Sequence, residues 1–441
     1  MISSEKYFSV DVKAIWKQFK QEPYYFWFFC GYLFFEYVRP QTVYASLDIL
    51  PWAKLCIIGA AIGSFTSKDS VSSSSSLTKY FWGLIVAVLF SSVFAEFPDI
   101  AFSNYYVVLY WLIIYYLFIR IVSTKFRFFT VILLIMLATY KMSQHGAISW
   151  AHRGFAYERW GIAGGAGFFG NAADLGLQML IILPLSIAFI KSCRSGWGTV
   201  KKLFFIFLPI TALMTIIATG ERNTLVGLAA ICLATAMSAK KRIRNILLMA
   251  IFAVGLIAVM PQAFLDRFNT IGTDNTSVTR LTYWNRGIEF FESHPLLGIG
   301  YDNWVPYYQK HHPGESIQGK NLEVAHSTPI SVLAELGIIG FIFYYAIVIN
   351  TVLVNFRSMK ILGSDSERFW REIPNALNIG IVGFLVASIF ITVTFYPFLF
   401  IQASLSAALY NIILREKQKV PVKNENNAAT PLGRTALRGA A

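Results

Sequence analysis

Charged residues are scarce in this chain and make up only 14% of its 441 residues. Soluble domains carry about a quarter charged residues, so the composition excludes an ordinary soluble protein. The sequence also lacks a phosphate-binding glycine loop, a dinucleotide fingerprint and the paired aspartates of sugar-nucleotide enzymes. We therefore expect no cofactor, and the energy for any reaction must come from a substrate that arrives through the membrane.

Cysteine is equally rare. The four cysteines are Cys30, Cys56, Cys193 and Cys232. They have neither metal-type spacing nor the arrangement of a disulfide framework. Each lies in or beside an apolar segment, which indicates a small buried side chain.

Long apolar runs dominate what is present. Runs of about 17–25 residues recur along the chain, and a helix of that length spans a bilayer. We predict an all-α, polytopic integral membrane protein with about 12 transmembrane helices and one large loop that contains short helices. The predicted spans are 24–38, 52–66, 80–96, 102–120, 127–143, 173–190, 202–218, 223–239, 244–260, 327–355, 376–394 and 396–413.

The pattern of apolar runs divides the chain into five regions. They are a basic interfacial helix at 1–23, membrane helices 1–9 at 24–260, the large loop at 261–325, membrane helices 10–12 at 326–414 and a disordered tail at 415–441.

Most of the 38 lysines and arginines fall at alternate ends of the predicted spans. By the positive-inside rule both termini are cytoplasmic and the large loop lies outside. This bias, with attraction to anionic membrane lipids, accounts for the net charge of +14 without a nucleic-acid partner.

Basic residues on the outer side oppose this bias and are candidates for function. Arg222 lies in the short connection Thr219-Gly220-Glu221-Arg222-Asn223, next to the N-terminus of a predicted helix. A guanidinium group matches phosphate oxygens, and a helix N-terminus adds backbone donors. The structural alternative is an arginine that reaches lipid headgroups or pairs with Glu221.

The second basic candidate is Arg280 in the large loop. Residues 275–291 form a predicted amphipathic helix whose apolar stripe is Leu281, Trp284, Ile288 and Phe291. Arg280 lies beside this stripe and is expected at the membrane-proximal edge. Arg286 falls on another face and is expected in solvent.

His326 stands at the start of the next apolar helix. Ser327 is the predicted N-cap of that helix, and Pro329 suits its first turn. The positive end of the helix dipole favours a neutral imidazole there, which is the form that accepts a proton as a general base. A lone histidine is usually structural, but two arginines on the same side favour a catalytic role.

A glycine-rich outer segment of about 30 residues supplies two more arginines. Arg153 and Arg159 are further candidates for binding substrate, although each could equally hold the loop together. The glycines between Gly161 and Gly167 permit a tight re-entrant path, which is acceptable at membrane depth only where it lines a cavity. A metal site is the competing interpretation of the nearby histidines, but the spacing of His311-His312 and His326 matches no zinc pattern, so we expect no metal.

Several of these stretches resemble the O-antigen ligase and O-antigen polymerase superfamily of bacterial inner-membrane glycosyltransferases. The most specific are Ala325-His326-Ser327 and Leu333-Ala334-Glu335-Leu336-Gly337-Ile338-Ile339-Gly340, which are similar to the family's His-(Asn/Ser) helix ending in Glu-x-Gly-x-x-Gly. The stretch from Arg280 to Trp284, followed by His294-Pro295-Leu296-Leu297-Gly298-Ile299-Gly300, resembles the family's loop entry.

Two further stretches carry the resemblance. Gly220-Glu221-Arg222 stands where the family commonly has Ser-Arg-Gly, so that Glu221 and Asn223 depart from the pattern while the arginine is kept. Gly170-Asn171-Ala172-Ala173-Asp174 is similar to the family's Asn-rich span start.

The resemblance implies a metal-independent transferase that inverts the anomeric carbon of a glycan carried on undecaprenyl pyrophosphate. Arg222 and Arg280 would bind the pyrophosphate, and His326 would deprotonate the acceptor hydroxyl. The acceptor is a lipid A-core sugar for a ligase and another lipid-linked glycan for a polymerase. We expect the ligase, with its site on the periplasmic side; the alternatives are the polymerase and a flippase or exporter of lipid-linked glycan. A transporter should have polar residues at mid-membrane, and few are present.

Overall fold

The computed structural model describes residues 4–67, 75–156, 161–165, 168–239, 241–259, 275–314, 324–363 and 366–419. These residues form α-helices and short 3-10 turns, without a strand. The α-helices are α1 Ser4–Phe8, α2 Val12–Phe19, α3 Tyr24–Tyr37, α4 Pro40–Val43, α5 Trp52–Thr66, α6 Thr78–Val93, α7 Pro98–Ile121, α8 Lys125–His152, α9 Ala172–Cys193, α10 Thr199–Ala218, α11 Arg222–Ser238, α12 Arg242–Val259, α13 Asn275–Ser293, α14 Trp304–His311, α15 Thr328–Ile361, α16 Arg368–Ser388 and α17 Pro397–Lys419. The ends of the predicted loop at 261–274 and 315–323, and the tail from residue 420, lie outside the described residues.

Seven helical stretches in the described part of the chain are long and apolar enough to cross a membrane: Ala45–Thr66, Pro98–Ile121, Lys125–His152, Ala172–Gly196, Thr199–Ala218, Thr328–Ile361 and Pro397–Gln418. Thr78–Val93 and Arg222–Ser238 are apolar but shorter. The prediction of an all-α membrane protein is confirmed at this level, whereas the count of twelve spans stays a prediction. Large apolar side chains such as Ile58, Val86 and Ile349 are exposed on the helix surfaces, as expected where lipid is the solvent.

Among the predicted boundaries that differ from the structure are those of the N-terminal helix, α8 and the end of α16. The N-terminal segment forms two short helices, α1 and α2, because Val10 between them has a φ of 52°. Helix α8 continues to His152, nine residues beyond the predicted end of its span. Helix α16 ends at Ser388, so an irregular connection of eight residues, 389–396, replaces the predicted tight turn after residue 394.

Helix α15 is interrupted at Gly337, which has φ 62° and ψ −168°. A side chain there would be strained, and a Cβ would lie 2.4 Å from the carbonyl group of Leu296. The segment 295–300 fills the interruption: Ile338 N–H donates to Pro295 O at 2.9 Å, and Ile299 N–H donates to Ala334 O at 2.9 Å. A broken helix is tolerated at membrane depth when a neighbour pairs its freed backbone groups, and this pairing fixes the loop to the bundle.

The described part of the large loop has a small aromatic core of its own. Its buried members come from α13, the segment before α14, α14 and the start of α15, and they are Tyr283, Phe290, Ile299, Trp304, Tyr307, Tyr308, Ala325 and Ala334. Helix α13 approaches α15 closely, since a Cβ on Gly287 would lie 2.3 Å from Ile330 Cγ2. The loop is therefore packed directly on the membrane helix that follows it.

Candidate functional site

A cavity of about 660 Å³ lies where several helix ends meet. Its lining comes from the glycine-rich segment, the starts of α9, α11 and α15, helix α13 and the connection between α16 and α17, and consists of Gly161, Ala163, Gly170, Asn171, Ala172, Ala173, Asp174, Glu221, Arg222, Asn223, Arg280, Val324, His326, Phe390, Ile391, Thr392 and Tyr396. These ends are the ones that the distribution of basic residues assigns to the outside. At the opposite ends of α9 and α16, Lys191 Nζ pairs with a Glu372 carboxylate oxygen at 3.0 Å.

The cavity brings together the three residues singled out in the sequence, Arg222, Arg280 and His326. They are distant along the chain and come from α11, α13 and the residue pair before α15. Arg222 is the first residue of α11 and follows a turn in which Gly220 has a φ of 63°. The predicted position beside a helix N-terminus is therefore confirmed, and the backbone donors of α11 begin at the same place.

Arg280 lies on the buried face of α13. Leu281 and Ile288, two members of the predicted apolar stripe, are exposed, whereas Tyr283 and Gly287 are buried. Arg280 precedes them by three and seven residues and so shares their face. The aromatic core of the loop explains the difference, because it packs on Tyr283 rather than on the purely aliphatic residues.

His326 adopts a left-handed backbone conformation with φ 50°. Such a conformation is uncommon for a residue other than glycine and points to function when the surrounding structure enforces it. Tyr283 supports the imidazole, with ring centroids 6.4 Å apart and planes 21° apart. Ser327 is the N-cap residue, but its side chain makes no capping hydrogen bond, contrary to the prediction; Pro329 does lie in the first turn.

The connection 389–396 holds the start of α15, and its role was not foreseen. Ser327 N–H donates to Thr392 Oγ1 at 3.2 Å, while the Thr328 hydroxyl donates to Ile391 O at 2.7 Å. Phe390 packs on Trp284 of α13, with ring centroids 6.0 Å apart. The connection thus links the helix that carries Arg280 to the residues that flank His326. Pro397 was the sequence signal for a break between the two helices, but the apolar run before it favours a helix that continues up to the proline.

The opposite wall of the cavity is formed by the start of α9. Asn171 is the N-cap residue and accepts a hydrogen bond from Asp174 N–H at 2.8 Å, while its amide nitrogen donates to the Asp174 carboxylate. The glycine-rich segment reaches the same wall, where Ile162 N–H donates to Ala218 O at 3.3 Å. A Cβ on Gly161 would overlap Thr219 O. The expectation that this segment lines a cavity is therefore met for the described residues 161, 163 and 170.

The remaining predicted residues lie elsewhere. Arg153 is exposed beyond the C-terminus of α8 and does not line the cavity, and Arg159 lies outside the described residues. A role for Arg153 or Arg159 in substrate binding stays a prediction. Arg286 donates to Glu289 at 2.6 Å and does not line the cavity.

His311 ends helix α14 and hydrogen-bonds to Glu96 at 2.8 Å. Lys310 pairs with the same carboxylate. Burial alone would raise the pKa of Glu96, but the hydrogen bonds from Lys310 and His311 outweigh it and lower that pKa. The two basic residues therefore fasten α14 to the connection between α6 and α7.

Glu335 anchors the loop from inside α15. Its Oε1 accepts the backbone N–H of Trp304 at 3.1 Å, and its Oε2 accepts the Ser331 hydroxyl at 3.0 Å. Replacing Glu335 by leucine removes the acceptor of both hydrogen bonds, and losing the acceptor of a buried donor costs about 1–3 kcal/mol. We expect the thermal unfolding midpoint of the Glu335→Leu protein to fall in a detergent melt.

Glu335→Gln is the matched control, because its amide oxygen can still accept the Trp304 N–H and its amide nitrogen can donate to the Ser331 hydroxyl. We expect its unfolding midpoint to stay near that of the wild type. Equal losses of stability in both variants would show that these two hydrogen bonds do not anchor the loop.

The fold and the site together define a class: an integral membrane protein whose polar cavity, with two arginines and a histidine, is formed by helix ends at one end of the bundle. Residues 207–345 match a family model described as O-antigen ligase. The match covers Arg222, Arg280 and His326, and it confirms the resemblance to the O-antigen ligase and polymerase superfamily. It supports a ligase- or polymerase-type enzyme of the membrane. No curated protein matches the chain.

Proposed function

We propose that the protein is an O-antigen ligase, which moves a glycan from undecaprenyl pyrophosphate to a sugar hydroxyl of lipid A-core on the periplasmic side of the inner membrane. The observation that carries the proposal is the meeting of Arg222, Arg280 and His326 in one cavity. The family match supports the reaction class. The cavity volume, about 660 Å³, suits a pyrophosphate with one or two sugars, since ligand sites usually measure about 300–1,000 Å³.

Arg222 and Arg280 bind the pyrophosphate of the donor. Each guanidinium offers a planar set of donors that matches two phosphate oxygens, and the N-terminus of α11 adds backbone N–H groups beside Arg222. Negative charge grows on the pyrophosphate oxygen as its bond to the sugar breaks. Fixed positive groups at that position stabilise the transition state more than the ground state, which is the requirement for catalysis.

His326 activates the acceptor. Its imidazole takes the proton of the acceptor hydroxyl while the hydroxyl oxygen attacks the anomeric carbon from the face opposite the pyrophosphate. One C–O bond forms and one breaks, and the electron pair of the broken bond leaves with undecaprenyl pyrophosphate. The configuration at the anomeric carbon is inverted, and the reaction needs no metal ion.

Two other functions remain as alternatives to the ligase. A polymerase would use the same donor and the same three residues with a second lipid-linked glycan as acceptor. A flippase or exporter would bind the donor without breaking its glycosidic bond. The one-sided position of the arginines and histidine favours an enzyme over a transporter, since a transporter exposes its site to both faces in turn.

The first experiment is a transfer assay with the purified protein, undecaprenyl-pyrophosphate-linked O-antigen, lipid A-core and EDTA. Transfer of the glycan to lipid A-core by the wild type supports a metal-independent ligase. Lengthening of the lipid-linked glycan with lipid A-core unchanged replaces the ligase by the polymerase. The absence of both products, with the lipid still bound, overturns the proposal in favour of a transporter.

A further inference from the structure

The cavity carries acidic as well as basic groups. Asp174 and Glu221 line it together with the two arginines. Carboxylates repel a pyrophosphate but accept hydrogen bonds from neutral hydroxyl groups. The part of the cavity near the starts of α9 and α11 is therefore suited to the uncharged portion of a substrate.

Asn223 lies in this part of the cavity and is unusual. It is the second residue of α11, next to Arg222, and is only 3% exposed. Among the described residues neither its amide nitrogen nor its amide oxygen has a hydrogen-bond partner. A buried polar group without a partner costs stability. We therefore expect a ligand to form hydrogen bonds with both atoms.

The chemistry of the amide restricts that ligand. Oδ1 only accepts hydrogen bonds and Nδ2 only donates them. An ionised phosphate accepts but cannot donate, and so leaves Oδ1 unpaired. A sugar hydroxyl or an acetamido group supplies both a donor and an acceptor.

The neighbours of Asn223 fit the same kind of ligand. Tyr396 also lines the cavity, and burial, followed by the charge of Asp174, raises the pKa of its phenol. The phenol therefore keeps its proton at neutral pH and remains a donor, while its ring offers an apolar face. Aromatic faces beside amide and carboxylate groups suit a sugar ring, which has both apolar and hydroxyl-bearing surfaces.

We propose that Asn223 binds the first sugar of the donor, the one attached to the pyrophosphate, through a donor–acceptor pair on that sugar. The inference rests on the proposed function, because the position of this sugar follows from the pyrophosphate at Arg222. Asn223 thereby makes the protein selective for the group at one position of the ring, either a hydroxyl or an acetamido group.

The test compares Asn223→Leu, which keeps most of the side-chain volume without hydrogen bonds, with the wild type. Loss of about two hydrogen bonds is expected to raise the KM for the glycan-bearing donor about ten- to a hundredfold. Binding of glycan-free undecaprenyl pyrophosphate should stay within about twofold of the wild type. The thermal unfolding midpoint without substrate should not fall, because the amide has no hydrogen-bond partner to lose among the described residues.

Donors whose first sugar carries a hydroxyl or an acetamido group at the ring position next to the anomeric carbon identify the group that is recognised. The wild type should prefer one of the two, and Asn223→Leu should treat them alike.

Two results overturn the inference while the proposed function stands. The first is wild-type transfer with an unchanged KM in Asn223→Leu. The second is a lower unfolding midpoint in that variant with equal losses of affinity for the glycan-free and glycan-bearing lipids, which would make Asn223 structural. Wild-type protein that transfers no glycan and binds both lipids equally well would overturn the function and the inference together.

Discussion

Replacing Arg280 or Arg222 by alanine is expected to lower the rate of glycan transfer by about 10²–10³-fold, the usual effect of removing a fixed group that stabilises transition-state charge. Both residues line the cavity, from α13 and α11 respectively. If each binds the leaving pyrophosphate, the loss should appear mainly in kcat, since the charge that the arginine stabilises is largest in the transition state. The measurement is steady-state transfer to lipid A-core with varied donor.

Arg286→Ala is the matched control on the same helix. Arg286 pairs with Glu289 and does not line the cavity, so its loss should leave the rate within about twofold of the wild type. Arg280→Lys tests whether the planar guanidinium group is needed. Lysine keeps the charge but cannot bind two phosphate oxygens in the same plane, so this variant should keep only part of the wild-type rate. An Arg280→Ala enzyme as fast as Arg286→Ala would remove Arg280 from the reaction.

The three residues that the sequence singles out, and that the structure brings together in one cavity, carry local signals. Arg222 and Arg280 oppose the charge bias of the chain, and His326 stands at the start of a long apolar run; each of these features can be recognised within about ten residues. Helix lengths were equally local, and the predicted span 52–66 agrees with α5, Trp52–Thr66. The length of an apolar run and the positions of charged residues are enough to predict both the candidate residues and this helix.

The features that the sequence did not reveal depend on contacts between distant parts of the chain. The end of α16 at Ser388 lies inside an apolar run that favours a helix, yet the residues that follow are used to bind the start of α15 through Thr328 and Ile391. The buried face of α13 cannot be identified from its own sequence, because the aromatic core on which it packs is built from α14 and the start of α15. Asn223 stood out only as a departure from the family's pattern, because an asparagine near a helix start has an ordinary local explanation.

Replacing His326 by alanine is expected to reduce transfer by about 10²–10⁴-fold, the range for loss of a general base. Donor binding should persist, because the two arginines remain. Imidazole added to the assay should restore part of the rate, since it can enter the space left by the side chain and accept the proton. The measurement is the transfer rate as a function of imidazole concentration, with Arg280→Ala as the variant that imidazole should not rescue.

His326→Gln separates a base from a residue that only orients the acceptor. The glutamine amide can hold a hydroxyl by a hydrogen bond but cannot take its proton, so a base requires His326→Gln to be nearly as slow as His326→Ala. The main competitor is Asp174, a carboxylate that lines the same cavity. A fast His326→Gln enzyme together with a slow Asp174→Asn enzyme would assign the role of general base to Asp174.

The left-handed backbone at His326 favours the histidine as the general base. The connection 389–396 holds the residues after His326 in place, and Tyr283 of the aromatic core packs on its ring. A strained position fixed from two sides is expected where the direction of one imidazole decides the reaction.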